Sequence, residues 1–192
     1  MSNYQLAVKK MDEANSQDPN REMVEGRELP KELIYARRMT EWLAKLDPDA
    51  SEALRLATRC QHIERWAIPR EDYPMTRPGY LKWRNDLKRY HAERAGEILR
   101  DTGYTDELIR KVQDLVMKKG LKTDPEAQIL EDVACLVFLA YYFEEFSQNH
   151  SEEKLVRIIR KTWRKMSEKG QAMAVNLHLS DSARRLMEKA VT

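Results

Sequence analysis

The 192-residue sequence predicts an all-α fold, a single-domain bundle of about seven or eight helices. Apolar residues recur at helical spacing along nearly the whole chain, and no segment shows the alternation that is typical of strands. Apolar residues make up 42% of the chain, which fits a globular protein and argues against disorder. A chain of this length can bury a hydrophobic core without disulfides.

The first half of the chain divides into helices separated by proline-, glycine- and aspartate-rich breaks. A first helix over 3–15 is expected to end near Asp18-Pro19, and 20–28 is expected to be a polar loop. Pro30 begins a second helix, which ends before Asp47-Pro48. A third helix is expected over about 50–66, followed by a segment at 67–79 that contains three prolines.

The second half continues the same pattern. Helices are expected over about 79–101, 105–118, 124–147, 151–168 and 180–190. The helix over 124–147 is apolar almost all round, so it belongs in the centre of a bundle. The expected arrangement is one domain over 1–192, with its core at about 30–147 and the helix at 151–168 packed on that core.

Charge and composition favour a cytoplasmic protein. The formal net charge is +2, from 34 basic and 32 acidic residues, and nothing in this balance indicates nucleic acid or a membrane. The most apolar stretch, 133–143, is too short to cross a bilayer core of about 30 Å. The N-terminus is too polar for a signal peptide. Cys60 and Cys135 lie in apolar helical stretches, which favours reduced thiols over a disulfide.

Glu131 and Asp132 are the most unusual polar pair, because they lie near the start of the most hydrophobic helix. A buried carboxylate is costly unless it is paired, protonated or bound to a metal. One interpretation makes them catalytic or metal-ligating residues. The alternative is a favourable interaction with the helix dipole or a buried salt bridge.

Two histidines are further candidates. His62 flanks the apolar stripe at the end of the third helix and could be a metal ligand or a general base. His91 lies on the fourth helix. A lone helical histidine is more often a hydrogen-bonded residue at the edge of a core, so the functional interpretation depends on His62, His91 and the acidic pair together.

The segment 68–84 interleaves arginines with aromatic residues directly after His62. Guanidinium groups bind phosphate, and aromatic faces stack on bases. The expected substrate-binding residues there are Arg70, Tyr80, Trp83 and Arg84. The alternative is a proline-stiffened connector with ordinary surface arginines.

The helix over 151–168 has a basic face, formed by Lys154, Arg157, Lys161, Arg164 and Lys165. This face is compatible with nucleic-acid binding. A solvated face opposite Leu155 and Ile159 is the interpretation that the sequence favours.

Three segments of the chain resemble the HD-domain superfamily of metal-dependent phosphohydrolases. Residues 59–65 lie where that family has its histidine-aspartate run, residues 91–99 resemble its next histidine helix, and residues 130–136 resemble the helix with its last aspartate. The resemblance covers about 30–145. It implies an HD-like helical bundle with one divalent metal ion held by His62, His91 and Asp132.

The resemblance also implies an activity, the hydrolysis of a small phosphorylated ligand such as a nucleotide. His62, Glu131 and Asp132 would be catalytic, Tyr35 would line the substrate site, and Arg59 would join the phosphate-binding arginines.

The match to the HD pattern is partial. Tyr35 occupies the place of the first histidine, and either Gln61-His62 or His62-Ile63 replaces the histidine-aspartate pair. The alternative function is therefore a non-catalytic module that binds a nucleotide, an RNA or a protein. An iron-dependent oxygenase on the same scaffold is a further alternative, although it needs more histidine and aspartate ligands.

The whole chain also resembles an uncharacterised bacterial and fungal family whose members are often labelled glutamyl-tRNA synthetase-like. The strand-helix alternation of a nucleotide-binding synthetase core is missing from the sequence.

Overall fold

The computed structural model describes residues 1–121 and 123–191, and the fold is mostly helical. The chain forms two compact units. The first comprises Met1–Glu41 and Asp49–Gly120, and the second comprises Trp42–Pro48 and Leu121–Thr192. The expectation of one domain with its core at 30–147 stays a prediction, and residues of that range occur in both units.

The first unit contains four helices and part of a fifth among the described residues. They are α1 (Asn3–Asn15), α2 (Lys31–Leu46, in this unit up to residue 41), α3 (Glu52–Cys60), α4 (Arg77–Asp101) and α5 (Asp106–Val116). Serine or threonine hydroxyls cap α1, α3, α4 and α5 by accepting a backbone N–H of the first turn. These caps explain why most predicted helix starts are close to the observed ones.

Residues 20–28, expected to be a polar loop, instead contain most of a β-hairpin. Strands β1 (Arg21–Val24) and β2 (Arg27–Pro30) pair antiparallel, with Arg21 opposite Pro30. The turn residues Glu25 and Gly26 both have positive φ, 49° and 78°, as a tight hairpin turn requires. The expectation of a loop was wrong because each strand has only four residues, of which two are exposed, so the sequence carries no alternating apolar pattern long enough to recognise.

The third helix is shorter than expected. It ends at Cys60, and the chain continues through a turn and two 3₁₀ segments, Arg65–Ala67 and Arg70–Asp72, before α4 begins at Arg77. Glu64 interrupts the helical path because its φ is 49°, in the left-handed region. His62 therefore lies in a turn between two helices.

The core of the first unit forms where α3, α4 and α5 pack against one another and α1 packs on α3 and α4. The largest side chains buried there are apolar, and they are contributed by all of these helices: Met11, Leu54, Leu56, Leu87, Leu99 and Leu115.

The second unit contains the remaining helices. The predicted helix over 124–147 is present as α6 (Pro125–Val137), a π-helical turn (Phe138–Tyr142) and α7 (Phe143–Ser147). The predicted helix over 151–168 is shorter, as α8 (Glu152–Trp163), and α10 (Asp181–Val191) packs against it. The sequence did not predict α9 (Glu168–Val175), which packs against α6.

Both cysteines are buried and free. Within residues 1–121 and 123–191, none of the helices combines the length and the apolar character needed to cross a membrane.

Asp18 fixes the start of α2. Its carboxylate accepts the backbone N–H of Glu32 at 2.9 Å and both the backbone and side-chain N–H groups of Asn20 at 2.9 and 3.0 Å. The side chain is fully buried, so these donors would lose their acceptor without gaining water.

We expect Asp18→Ala to lower the free energy of unfolding by about 1–3 kcal/mol, through loss of the cap and unpaired N–H groups. Urea denaturation monitored by circular dichroism measures this change. Asp49→Ala, which removes an exposed carboxylate, is the control and should change stability by less than about 0.5 kcal/mol. Equal effects of the two substitutions would show that Asp18 does not hold α2.

Candidate ligand-binding site

Three elements of the first unit bring aromatic and imidazole rings together. Tyr35 is on α2, His62 is in the turn after α3, and His91 is on α4. The rings of Tyr35 and His62 are stacked, with centroids 4.1 Å apart and planes 11° apart. The centroids of His62 and His91 are 5.9 Å apart. The two histidines and the tyrosine that the sequence selected are therefore neighbours.

Glu32 adds a carboxyl group that sequence reasoning missed. It lies one turn before Tyr35 on α2, and its Oε2 is 3.6 Å from Nδ1 of His62. Its other oxygen is 3.9 Å from Nε of Arg65. The i, i+3 spacing of Glu32 and Tyr35 was the signal in the sequence that could have found it. The cluster of Glu32, Tyr35, His62 and His91 is called the imidazole cluster below.

The orientation of His91 is set by one hydrogen bond. Its Nδ1 is 2.7 Å from the carbonyl oxygen of Ile63, and since a carbonyl only accepts, Nδ1 carries the proton. The Nε2 atom is then a bare acceptor, and it is buried with no hydrogen-bond partner among the described residues. A buried polar atom without a partner is uncommon and points to a missing donor.

Glu32 shows the same deficiency. Its Oε2 is buried and has no hydrogen-bond partner in the described part of the chain. Two incompletely satisfied polar atoms thus belong to one cluster, a pattern that a bound ligand would complete.

The backbone beside His62 is held in a strained conformation. Glu64 has a φ of 49°, and its N–H donates to Oδ1 of Asn15 at 2.9 Å. Its carboxylate accepts from Tyr90 at 2.7 Å and from Nε of Arg94 at 3.1 Å. Non-glycine residues adopt this conformation when the surroundings impose it, and such positions concentrate at functional sites.

Burial keeps both imidazoles neutral. The pKa of His91 falls to about 3, chiefly through burial and then through the nearby His62. Burial also lowers the pKa of His62 well below its usual value, and the charges of Arg65, Lys118 and Arg84 lower it further. Although His62 packs among these neighbours, 27% of its side chain is exposed, so a ligand can reach it from solvent.

Burial acts on Glu32 in the opposite direction. It raises the pKa of this carboxyl from 4.5 to about 7, an effect that Arg65 and Lys31 partly oppose and Asp18 reinforces. Glu32 therefore exchanges a proton near neutral pH, beside an imidazole that stays neutral.

The predicted substrate-binding arginines differ in their surroundings. Arg59 donates to both carboxylate oxygens of Asp12, at 2.8 and 2.6 Å, and to Thr40. Arg70 donates to the carbonyls of Tyr73 and Pro74. Both guanidinium groups hold the fold together, whereas the charge of Arg84 acts on His62.

Tyr80 and Trp83 lie at the start of α4. Trp83 is buried, its indole N–H donates to the carbonyl of Ile68, and the guanidinium of Arg65 lies 4.9 Å from its ring centroid. Tyr80 is exposed, with Arg84 5.8 Å from its ring centroid. These contacts position Arg65 and Arg84 through cation–π interactions.

Glu131 and Asp132 belong to the second unit, on α6. Asp132 accepts the backbone N–H and hydroxyl of Ser167, at 2.8 and 2.5 Å, and the side-chain amide of Gln128 at 2.9 Å. Lys165 lies 3.3 Å from Glu131. These contacts give both buried carboxylates partners within their own unit. Catalytic or metal-ligating roles for them remain predictions.

The imidazole cluster fits a divalent metal poorly. Neutral imidazoles are good metal ligands, but the charges of three cations lower the pKa of His62, and the same charges would repel a divalent ion. Among residues 1–121 and 123–191, no three histidine, cysteine, aspartate or glutamate side chains are grouped as a metal site would require. Positive charge of this kind favours an anionic ligand instead.

The chain matches the family model described as a domain of unknown function, DUF4202, over residues 5–187. It belongs to the DUF4202 family. No curated protein and no solved structure matches it. The expectation of an uncharacterised domain family is therefore confirmed for this DUF4202 chain, whereas its resemblance to HD domains stays a prediction.

We expect substitution of Glu32 to change how the stability of this DUF4202 chain depends on pH. Because its pKa is higher in the folded state than in the unfolded state, Glu32 favours folding at low pH. That contribution disappears as the pH rises from about 4.5 through 7. The resulting change in the free energy of unfolding is on the order of 3 kcal/mol. His62 and His91 act with the opposite sign, since their lowered pKa values weaken folding as the pH falls below about 6.5.

Glu32→Gln should therefore increase stability relative to wild type more at pH 8 than at pH 5, measured by urea denaturation across that range. Glu41→Gln, an exposed carboxylate on the same helix, should give the same difference at every pH. A pH-independent effect of Glu32→Gln would contradict the raised pKa.

We also expect Gly170→Ala to destabilise the second unit. A Cβ atom at position 170 would lie 2.8 Å from Cγ of Asp132. The side chain of Asp132 is short and is fixed by three hydrogen bonds, so it has little freedom to move away. The clash should cost about 1–3 kcal/mol, more than the gain of about 0.5–1 kcal/mol in helix propensity. Thermal unfolding would measure it, with Lys169→Ala on the same helix as control. Equal stability of Gly170→Ala and wild type would show that Asp132 is free to move.

Proposed function

We propose that the first unit is an HD-like domain that binds a phosphorylated small molecule, such as a nucleotide, at the imidazole cluster. The observation that carries this proposal is the guanidinium of Arg65 inside the imidazole cluster, with its Nε 3.9 Å from Glu32. After burial, the charges of Arg65, Lys118 and Arg84 lower the pKa of His62, as a positive potential at this place would. An anionic ligand would be stabilised by that potential, and a phosphate would accept hydrogen bonds from guanidinium groups.

The unpaired acceptor on His91 favours a ligand that carries a hydrogen-bond donor besides its phosphate group. The phosphate of a monoester is mostly a dianion at neutral pH and has no proton to donate, so it cannot by itself satisfy Nε2 of His91. Sugar hydroxyls and base amino groups can donate there. We therefore infer that the phosphate interacts with the arginines while a hydroxyl or amino group of the same ligand donates to His91.

The aromatic surroundings are consistent with a nucleotide. Tyr35 stacks on His62, and the exposed Tyr80 lies beside Arg84 at the start of α4. Aromatic faces of this kind stack on bases.

Hydrolysis of the bound phosphate is the second candidate function, and the Glu32–His62 pair favours it. The carboxyl group of Glu32 has a pKa of about 7, so it can accept a proton near neutral pH, and the neutral imidazole of His62 lies 3.6 Å from it. In that case Glu32 would take a proton from the water that attacks phosphorus, and His62 would orient that water. The bond from phosphorus to the leaving oxygen would break, and the proton would pass to that oxygen.

Calorimetric titration tests the binding proposal. We expect AMP to bind, inorganic phosphate and adenosine to bind more weakly, and Arg65→Gln to weaken AMP binding by about tenfold or more through loss of a charge-assisted hydrogen bond. Arg37→Gln removes an exposed charge from α2 and should leave the affinity unchanged. A ligand that binds only the folded protein should also raise its melting temperature.

Phosphate release, measured with and without Mn²⁺, separates the two candidates. Binding of AMP or ATP without turnover supports the binding module. Turnover that His62→Asn abolishes, with folding intact by circular dichroism, supports the hydrolase. If no nucleotide binds, or if Arg65→Gln binds AMP as wild type does, the proposed site is wrong.

A further inference from the structure

Helix α8 in the second unit and its C-cap residue, Arg164, carry an exposed row of basic side chains. This row consists of Lys154, Arg157, Lys161 and Arg164 and is called the basic row below. Among the described residues, Arg157, Lys161 and Arg164 have no ion-pair or hydrogen-bond partner for their side chains. Lys154 contacts a ring nitrogen of His150 at 3.3 Å. The cations of this row are therefore not neutralised by the described part of the chain.

Other basic residues nearby have structural partners. Arg160 donates to the carbonyls of Lys189 and Ala190 at the end of α10, and Lys189 pairs with Glu152 at 2.5 Å. Lys165 pairs with Glu131. Basic residues of this unit therefore form contacts where an acceptor lies nearby. Along the basic row, the described residues place no such acceptor beside Arg157, Lys161 and Arg164.

The basic row is compact and linear. At 3.6 residues per turn, its members project within an arc of about 80°. At 1.5 Å per residue, the distance along the axis from Lys154 to Arg164 is about 15 Å. Four cations in such a line match a ligand with regularly spaced negative charges better than a single small anion.

The opposite face of α8 is already covered. Leu155 and Ile159 are buried, and α8 packs against α10. A helix that binds a membrane surface inserts its apolar face into the lipid, and here that face is inside the protein. Only the charged face is available to a partner.

We propose that the basic row binds the phosphodiester backbone of a nucleic acid. The row is long enough to follow about four nucleotides, taking 3.4 Å of axial rise for each. The exposed members of the row are lysines and arginines without aromatic residues among them, so the contacts are to phosphates and carry no sequence preference. RNA and DNA share this chemistry.

This inference goes beyond the proposed function and is independent of it. The imidazole cluster belongs to the first unit and binds a small ligand, whereas the basic row belongs to the second unit. Either can fail without the other.

A second copy of the chain is the main competing occupant. Residues 124–150 contain six acidic side chains and no lysine or arginine. Glu131 and Asp132 are buried, and the other four acids could attract the basic row of another molecule. Such an association would be visible as a salt-sensitive increase in mass, in the absence of nucleic acid.

Fluorescence anisotropy with labelled 20-mers of single-stranded RNA, duplex RNA, single-stranded DNA and duplex DNA tests the proposal on the full chain. We expect binding at 50 mM salt. As the salt concentration is raised, the logarithm of the association constant should fall linearly with log[salt], with a slope of about −0.7 to −0.9 per neutralised phosphate. The triple variant Arg157→Gln, Lys161→Gln, Arg164→Gln should lose about tenfold or more in affinity and reduce the slope by about 2–3.

The matched control removes three charges from the other unit, in the variant Arg37→Gln, Arg100→Gln, Arg110→Gln. These arginines are also exposed and helical. The affinity of the control variant for each oligonucleotide should stay within about twofold of the wild-type affinity. Any small loss would reflect the lower net positive charge, which both triple variants share. Circular dichroism of both variants verifies the fold.

Three results would overturn the proposal: no binding to any of the four oligonucleotides, equal loss in the two triple variants, or binding whose affinity does not depend on salt. Light scattering that shows a salt-sensitive dimer, together with no oligonucleotide binding, would assign the basic row to self-association instead. Preference among the four oligonucleotides would identify which nucleic acid the row binds.

Discussion

Exclusion of water from Glu32 and His91 is the constraint on which the chemistry of the candidate site depends. In water a glutamate is ionised and a histidine titrates near neutrality, but burial disfavours the charged form of each. The result is a carboxyl group with a pKa of about 7 beside neutral imidazoles. The cations around His62 preserve this state, because they oppose protonation of the ring. A site of this kind is suited to an anionic ligand that also carries hydrogen-bond donors.

The fold determines which polar residues are available for a ligand. Arg59 and Arg84 are the same residue type, yet the first forms a two-point salt bridge with Asp12 and the second acts on His62 through its charge. Asp132 and Glu32 are both buried carboxyls, yet Asp132 receives three hydrogen bonds while Glu32 retains an unpaired oxygen among the described residues. Partners, and not residue type or burial alone, decide which of these groups keep hydrogen-bonding capacity for a ligand.

Particular elements show how far the sequence could be interpreted. The helix starts at Ser51 and Thr105 were close to expectation because hydroxyl caps are local signals. The hairpin at 21–30 was missed because its four-residue strands are too short to show a recognisable apolar alternation in the sequence. Helix α9 was missed because, with eight residues, it is too short to show a clear apolar period, and it is stabilised by packing on α6 and by Ser167 bonded to Asp132.

For the site, the sequence by itself determined the residue types and their order along the chain: Tyr35 on α2, His62 close to the end of α3, His91 on α4, and a basic face on α8. Those features depend on spacing along the chain, which a sequence contains directly. Only the tertiary structure decided that Glu32 joins the histidines and that Ile63 orients His91. It also decided that Arg59 and Asp132 are bonded elsewhere. The physical reason is that pKa values and hydrogen-bond satisfaction depend on burial and on partners distant in sequence, and both arise only when the helices pack.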